Sequence, residues 1–419
     1  VLKTGRFEDG GLALSLEDRL RFFDAIMDRV SEYTVRRIRL ADKRGAAVLF
    51  LNGRQDHLRL EQDVIMPLVA NPETLGRMPE TFSFQVTSTV SMREASDAIL
   101  RGDVVLTVEH EPQAWILSLR RHPGRDVDPA TSERAVLGPK ESFVESLLIN
   151  TSLVRTRLAT EKLKSERVTV GSISRTPVAI LYLDGTADKS LVRRVKAMVA
   201  GADLPVLNHV SELFRYIADK RWSPFPQVKY TERPDVTVGH LLEGRVALLA
   251  DGSPEALIAP ITLGGLFQSP EDSYLQPAIA TAIRLLRVLA FIITTTALPV
   301  YVAMVSYHYD MLPLNFVLNL ARTRLLVPFE PLTEALFLDV AVELLREGAV
   351  RLPAGLGQTL TIAATLIIGQ AILQAQVVSP MLLVTVGFTT VASFAIPDYS
   401  SFIGIRLLRF PLMLAAGFL

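Results

Sequence analysis

From Val288 to Tyr307 the chain runs for twenty residues without a charged side chain, in VLAFIITTTALPVYVAMVSY. That length matches the ~20 apolar residues a helix needs to cross the hydrocarbon of a bilayer. Pro299 falls inside the run, which a membrane helix tolerates because neighbouring groups satisfy the freed carbonyl. The run also sits at a break in composition. Up to about residue 286 the chain is rich in Arg, Glu and Asp; beyond Arg287 the charges are confined to a few places. Whole-chain averages hide this, since 44 Lys and Arg balance 44 Asp and Glu and mean hydropathy is only +0.30. The pattern divides the sequence into a soluble region and a membrane region. Without cysteine, disulfide and thiolate chemistry are excluded. The chain opens VLKTGRFEDG, with neither Met nor an apolar leader, and stops inside the apolar run RFPLMLAAGFL, so residues are expected beyond both ends.

Further spans are expected at Gly357–Gln376, at Pro380–Ile396 and from Phe410 onward. The stretch EALFLDVAVELLREGAVRLP, Glu334–Pro353, is harder to place because it mixes lipid-like residues with four acids and two arginines. Loop charges favour a crossing here. With the soluble region cytoplasmic, Arg284, Arg287, Arg346, Arg351, Arg406 and Arg409 all fall inside, and the uncharged VVSP turn falls outside. Arg322 and Arg324 are the exceptions.

At 100° per residue, Ala335, Asp339, Glu343, Arg346 and Val350 share one stripe of this helix, with Glu347 at its edge. A charge at mid-bilayer costs roughly 2.5–3.5 kcal/mol on insertion scales, so the stripe is expected to face a bundle interior or water. Three readings are open. The acids pair locally, Glu343 with Arg346 and Glu347 with Arg351; or they line a cation path as acidic rings of symmetric copies; or the helix lies on a surface or at a subunit interface. Asp339 discriminates best, having no basic residue at i±3 or i±4. Gln358, Gln370, Gln374 and Gln376 suit interhelical hydrogen bonds, with Gln370 a further candidate for the path.

The soluble region repeats itself. AAVLFLNG (Ala46–Gly53) matches VAILYLDG (Val178–Gly185), and Ala95–Leu117 matches Val238–Pro260. In the second pair a helix ends at Gly102 or Gly244 and leads into a strand, a turn with Pro112 or Pro254, and another strand. The expected fold is an α/β N-terminal region of two tandem related subdomains, followed by an all-α polytopic membrane domain. The boundaries are a first subdomain at 1–138, a helical link at 139–165, a second subdomain at 166–283, and about five helical segments in 284–419. The second subdomain is about ten residues longer, and SPFPQVKYTERPD (Ser223–Asp235) is the expected location of the insertion.

No nucleophile elbow, Walker loop or dinucleotide fingerprint occurs, and the six histidines form no i, i+4 pair. RRHPGR (Arg120–Arg125) is expected to be a solvated loop rather than a nucleic-acid contact. The chain is therefore expected to be a non-enzyme with no cofactor, metal or nucleic-acid partner.

Several segments, in order, resemble one family. They are GPKESFVESLLINTSLVRTRL, SPFPQVKYTERPD, LLEGRVALLADGSP, FQSPEDSY, VPFEPLTEALFLDVAVELLREGAVRLPAGLGQ, IIGQAILQAQVVSP, SFAIPDYS and IRLLRFPLML. Together they resemble the GerA family of spore germination receptor A subunits, of the receptor type rather than the stage V protein AF type. The resemblance implies a subunit of the endospore inner membrane that senses small nutrients beside a permease-like B subunit and a lipoprotein C subunit. It further implies that copies oligomerise into a germinant-gated channel for monovalent cations. The alternative is a non-conducting scaffold that couples the permease-like subunit to downstream proteins. The resemblance also marks Pro224, Pro226, Glu232, Arg233, Pro234, Asp235, Gln268, Pro270, Glu271 and Asp272 as structural or interface positions.

Overall fold

A computed structural model describes residues 15–71, 75, 84–120, 138–218, 223, 225–351, 367, 369–397 and 399–418. The chain forms two compact units, one of Val1–Arg221 with Gln227–Pro260 and the other of Trp222–Pro226 with Ile261–Leu419. The unit boundary at Pro260 precedes the expected one at 283, because packing rather than composition sets it.

The first unit is the internal repeat made visible. Its helices are α1 (Leu16–Ile26), α2 (Met92–Arg101), α3 (Leu147–Arg157), α4 (Lys189–Ala200) and α5 (Pro234–Leu242). Its strands are β1 (Tyr33–Arg39), β2 (Gly45–Leu51), β3 (Val86–Thr89), β4 (Val104–Val108) and β5 (Ala114–Leu117), then β6 (Leu163–Val170), β7 (Thr176–Leu183), β8 (Lys229–Thr231), β9 (Val246–Ala250) and β10 (Ala256–Ala259). The strand orders β1-β2-β4-β5-β3 and β6-β7-β9-β10-β8 are the same topology used twice. Every pairing within these sheets is antiparallel, so the layering is α+β rather than the parallel α/β kind that a strand–turn–helix pattern suggests.

Alternation within AAVLFL explains its unbroken apolarity. Ala47, Leu49 and Leu51 pack with α1 and α2, whereas Ala46, Val48 and Phe50 pack with Leu60, Val64 and Leu68 of a helical segment at 57–70. Covered on both faces, the strand has no solvent side to make polar. In the second sheet Val178 and Ile180 face α4, and Ala179 and Leu181 face α3 and α5. The expected helical link is thus corrected: α3 is a layer of the second subdomain, and β6 already begins at Leu163. The wider spacing between equivalent strands is already present at β3 and β8, so the extra residues lie between Leu183 and Lys229, an interval that includes the start of the expected SPFPQVKYTERPD stretch.

A buried ion pair joins the two subdomains. Glu32, just before β1, accepts hydrogen bonds from Ser165 Oγ at 2.6 and 2.7 Å and faces Arg155 of α3 at 3.5 Å. Burial pushes the Arg155 guanidinium down from its ordinary value, and the Glu32 carboxylate opposes that shift. Nearby, Gly102 caps α2 with φ +95°, and a Cβ there would lie 2.8 Å from Arg54 Nε. Gly102→Ala is therefore expected to cost about 1–2 kcal/mol from the left-handed backbone alone. Displacing Arg54, which donates to Leu100 O at 2.8 Å, adds to this. A lower unfolding midpoint of the full chain would show it.

The second unit is helical: α6 (Pro277–Ser306), α7 (Leu314–Arg324), α8 (Pro331–Arg351), α9 (Pro380–Ser393) and α10 (Tyr399–Phe418). Among the described residues only α6 is long and apolar enough to cross a membrane; α9 is a shorter apolar helix. At 30 residues α6 spans about 45 Å, more than the ~30 Å hydrocarbon core, and it keeps Pro299 inside. Of Thr294–Thr296, all expected to bond back to their own helix, Thr295 and Thr296 donate to the carbonyls of Phe291 and Ile292, whereas the buried Thr294 hydroxyl does not. Most of the expected span Gly357–Gln376 lies outside the described residues. The last helix begins at Tyr399, ahead of the expected Phe410, so Arg406 and Arg409 sit inside a helix and are not loop charges.

Candidate functional site

The acidic stripe of α8 faces into its own unit. Ala335 and Asp339 are fully buried, whereas Phe337, Val340 and Leu344 on the other side are exposed. Leu338 joins Leu298 and Val302 of α6, Leu382 and Val386 of α9, and Met413 of α10 in one apolar core. Asp339 and Glu343 therefore enter a space that apolar packing closes around them.

Arginines from another helix meet them there. Arg409 of α10, itself 2% exposed, forms an ion pair with Asp339 and lies 3.4 Å from Glu343. Arg406, one turn earlier, reaches Glu343 at 3.0 Å, and Arg346 of α8 itself reaches it at 3.5 Å. Arg346 also donates to Ser393 Oγ at 3.3 Å and lies over the Phe394 ring at 5.5 Å. Asp339 and Glu343 thus meet Arg346, Arg406 and Arg409. The local pairing of Glu343 with Arg346 is present, but Asp339 finds its partner seventy positions away, beyond any i±4 rule. Glu347 is exposed one turn further along α8; the side chain of Arg351 lies outside the described residues. Gln370 is exposed on a helical stretch at 369–374, and among the described residues no hydrogen bond joins it to the cluster.

A second buried node holds the start of α8. Glu334, fully buried, accepts from Ser379 N and from Arg324 Nη1, the latter at 2.7 Å. Ser379 Oγ in turn lies 3.0 Å from Tyr301 Oη of α6. Arg324, an exception to the loop-charge pattern, is thereby neutralised within the protein. The loop-charge argument itself is corrected: Arg284, Arg287, Arg406 and Arg409 all lie in helices and are paired with acids.

The family-signature residues resolve into two helix starts. In FQSPED, Pro270 opens a single helical turn over Pro270–Tyr274, and the Ser269 N–H donates to Asp272 at 3.2 Å. The Asp272 carboxylate, with no exposed surface, accepts from Arg284 Nε at 2.8 Å and Arg287 Nη1 at 2.9 Å, both on α6. Arg287 also donates to Phe267 O at 3.0 Å. Burial pushes the Asp272 carboxyl up, but the bonds from Arg287 and Arg284 outweigh it and hold the group below the usual carboxylate range. Gln268 and Glu271 are half-buried beside it. In YTERPD, Pro234 opens α5, and buried Arg233 grips Asp235 through two bonds of 3.1 and 2.8 Å. Glu232 O accepts from Phe143 N at 2.7 Å. Pro226 is half-buried, and Pro224 lies outside the described residues. Each of these motifs braces its own helix.

Among the described residues no group of His, Cys, Asp and Glu could hold a metal ion. Sequence reasoning missed Arg406, Arg409, Glu334 and Ser379 as members of buried networks. The signal available for the arginines was their i, i+3 spacing inside IRLLRFPL, which matches the i, i+4 spacing of Asp339 and Glu343.

Tandem antiparallel sheets of one topology are followed by a helical unit that holds a helix of membrane-spanning length and a buried ion network. The sequence profile of the Bacillus/Clostridium GerA spore germination proteins matches residues 21–419, and the chain belongs to that family. It is 37% identical over 327 residues to spore germination protein A1 of Bacillus subtilis, covering 78% of this chain and 68% of that one. With spore germination protein KA of Bacillus subtilis it shares 33% over 400 residues, 92% of this chain and 73% of the other. With stage V sporulation protein AF of Bacillus subtilis it shares 30% over 388 residues, 91% and 78% of the two chains. Among solved structures, the N-terminal domain of the A subunit of the Bacillus megaterium spore germinant receptor GerK3 matches at 22% identity with a TM-score of 0.47, over 59% of this chain and 96% of that one.

Proposed function

We propose that this chain is a membrane subunit of a nutrient germinant receptor in the inner membrane of bacterial endospores, and that copies of it assemble into a germinant-gated channel for monovalent cations. Membership of the GerA family supports the receptor role. The greater identity to germination protein A1 than to stage V protein AF supports the receptor type. On this reading the protein works beside a permease-like B subunit and a lipoprotein C subunit, with its N-terminal region on the spore-core side. It crosses the bilayer several times, and α8 crosses despite its charges because they are paired.

The observation that carries the ion path is the inward stripe of Asp339 and Glu343, with Glu347 and Gln370 as its further candidates. In one copy these carboxylates are matched by Arg409, Arg406 and Arg346. Opening therefore has a mechanical requirement: a guanidinium must give up its carboxylate before K⁺ or Na⁺ can take its place. Full-length protein in liposomes should pass K⁺ or Na⁺, and Asp339→Asn with Glu343→Gln should lower that flux several-fold. Unchanged conductance in the double variant would sink the path.

The arginines packed against Asp339 and Glu343 favour a second reading, a non-conducting scaffold between the permease-like subunit and downstream germination proteins. Positive charge at the site opposes cation entry. This reading expects the double variant to assemble and signal normally, and it expects no ring of copies around a central pore in detergent.

A further inference from the structure

Arg322 has no part in any network described above, and the helix that carries it turns an apolar side outward. In α7, Leu314, Leu318, Ala321 and Leu325 recur at i, i+4, i+7 and i+11, which is one face of a helix. Leu314 is 72% exposed, Leu318 50% and Leu325 80%. Met311 and Leu326, which flank the helix, are exposed at 74% and 65%. The adjoining face carries Asn315, Asn319 and Arg322, all exposed. The third face looks inward: Arg324 is bound to Glu334, and buried Leu320 borders a cavity of about 160 Å³ with Phe316, Thr323, Met381 and the edge residue Asn319. One narrow helix thus has an apolar side, a polar side and a protein side.

We infer that α7 lies flat in the membrane–water interface, its Leu314–Leu318–Leu325 stripe seated in lipid and its Asn315–Asn319–Arg322 side at the headgroups. The inference rests on the membrane reading of α6. Three observations select lipid as the occupant. The stripe begins only eight residues after α6 ends at Ser306, so the chain reaches α7 as it leaves the bilayer surface. Tyr307 and Tyr309, both about half exposed, stand at that exit, where aromatic rings with a polar tip settle at the headgroup level. The charge on the polar side is cationic, which suits anionic headgroups; such helices sink their apolar face roughly 5–10 Å into the headgroup boundary.

The chain has no cysteine, so single labels can be placed without background. Full-length variants Leu314→Cys, Leu318→Cys, Leu325→Cys, Asn315→Cys and Asn319→Cys would carry a nitroxide in phosphatidylcholine–phosphatidylglycerol vesicles, with Leu289→Cys on α6 as the lipid reference. All these positions are exposed, so folding is retained. The leucine positions should collide with oxygen in preference to a water-soluble nickel chelate, as Leu289→Cys does, and the asparagine positions should show the reverse preference. Nickel access at Leu318→Cys equal to that at Asn315→Cys would place the stripe in water and overturn the inference. Shielding from both reagents would make it a protein interface and overturn it equally. Loss of the oxygen preference at Leu289→Cys would remove the membrane reading of α6, and this inference with it.

Discussion

Replacing Arg409 by alanine is expected to cost the helical unit about 3–5 kcal/mol, because it leaves the fully buried Asp339 without its counter-ion. Asp339→Ala should cost less, because Arg409, which is 2% exposed, keeps Glu343 at 3.4 Å. In detergent, either single variant should lose its monodisperse form at markedly lower temperature than the parent. The double variant Asp339→Asn with Arg409→Gln should recover most of the loss, since both charges leave together and the remaining amide groups can bond to each other. Arg346→Gln should be milder, because its guanidinium is 17% exposed and Glu343 keeps Arg406. The double variant matters for function too. If it folds and still conducts, Asp339 is a structural ion rather than part of a path. If it folds and conduction falls, the carboxylate has a role that the ion pair does not explain.

The second large effect is expected at Asp272. Asp272→Ala removes the one carboxylate that Arg284 and Arg287 share, and Arg287 is largely buried. The loss should approach the lower end of the buried-pair range, about 3 kcal/mol, since Arg284 is 44% exposed and can turn to water. Hydrogen exchange in the full chain should quicken over Phe267–Arg287 while the protection of β2 and β7 stays unchanged. Protection that stays unchanged across Phe267–Arg287 would show that the motif does not anchor α6. The pH dependence has a definite sign. The Asp272 pKa is depressed on folding, so the stability it contributes is fully present above its unfolded value near 3.8 and is lost as pH falls further. Neutral and mildly acidic conditions should therefore leave the anchor intact, and strong acid should release it.

Local pattern accounts for much that was legible beforehand. AAVLFLNG and VAILYLDG are equivalent strands, and Gly102 and Gly244 sit where positive φ is needed. Those signals survive in sequence because a strand's period and a left-handed glycine depend on residues within a few positions. Pairing direction was not legible, since a buried strand reads the same in parallel and antiparallel sheets. Arg284 and Arg287 read as loop cations for a similar reason: nothing local says that a carboxylate from the preceding turn folds back onto them.

By itself the sequence determined the duplicated N-terminal region, the span-length helix α6, the inward stripe of α8 and, through its motif runs, the family. Tertiary structure alone decided what the stripe meets. Asp339 and Arg409 lie on different helices, and their pairing depends on how α8 and α10 pack around Leu338 and Met413. Helical periodicity tells which residues share a face. It is silent on which face of another helix will close over them, and in a low-dielectric interior that decides whether an acid stands alone or is neutralised.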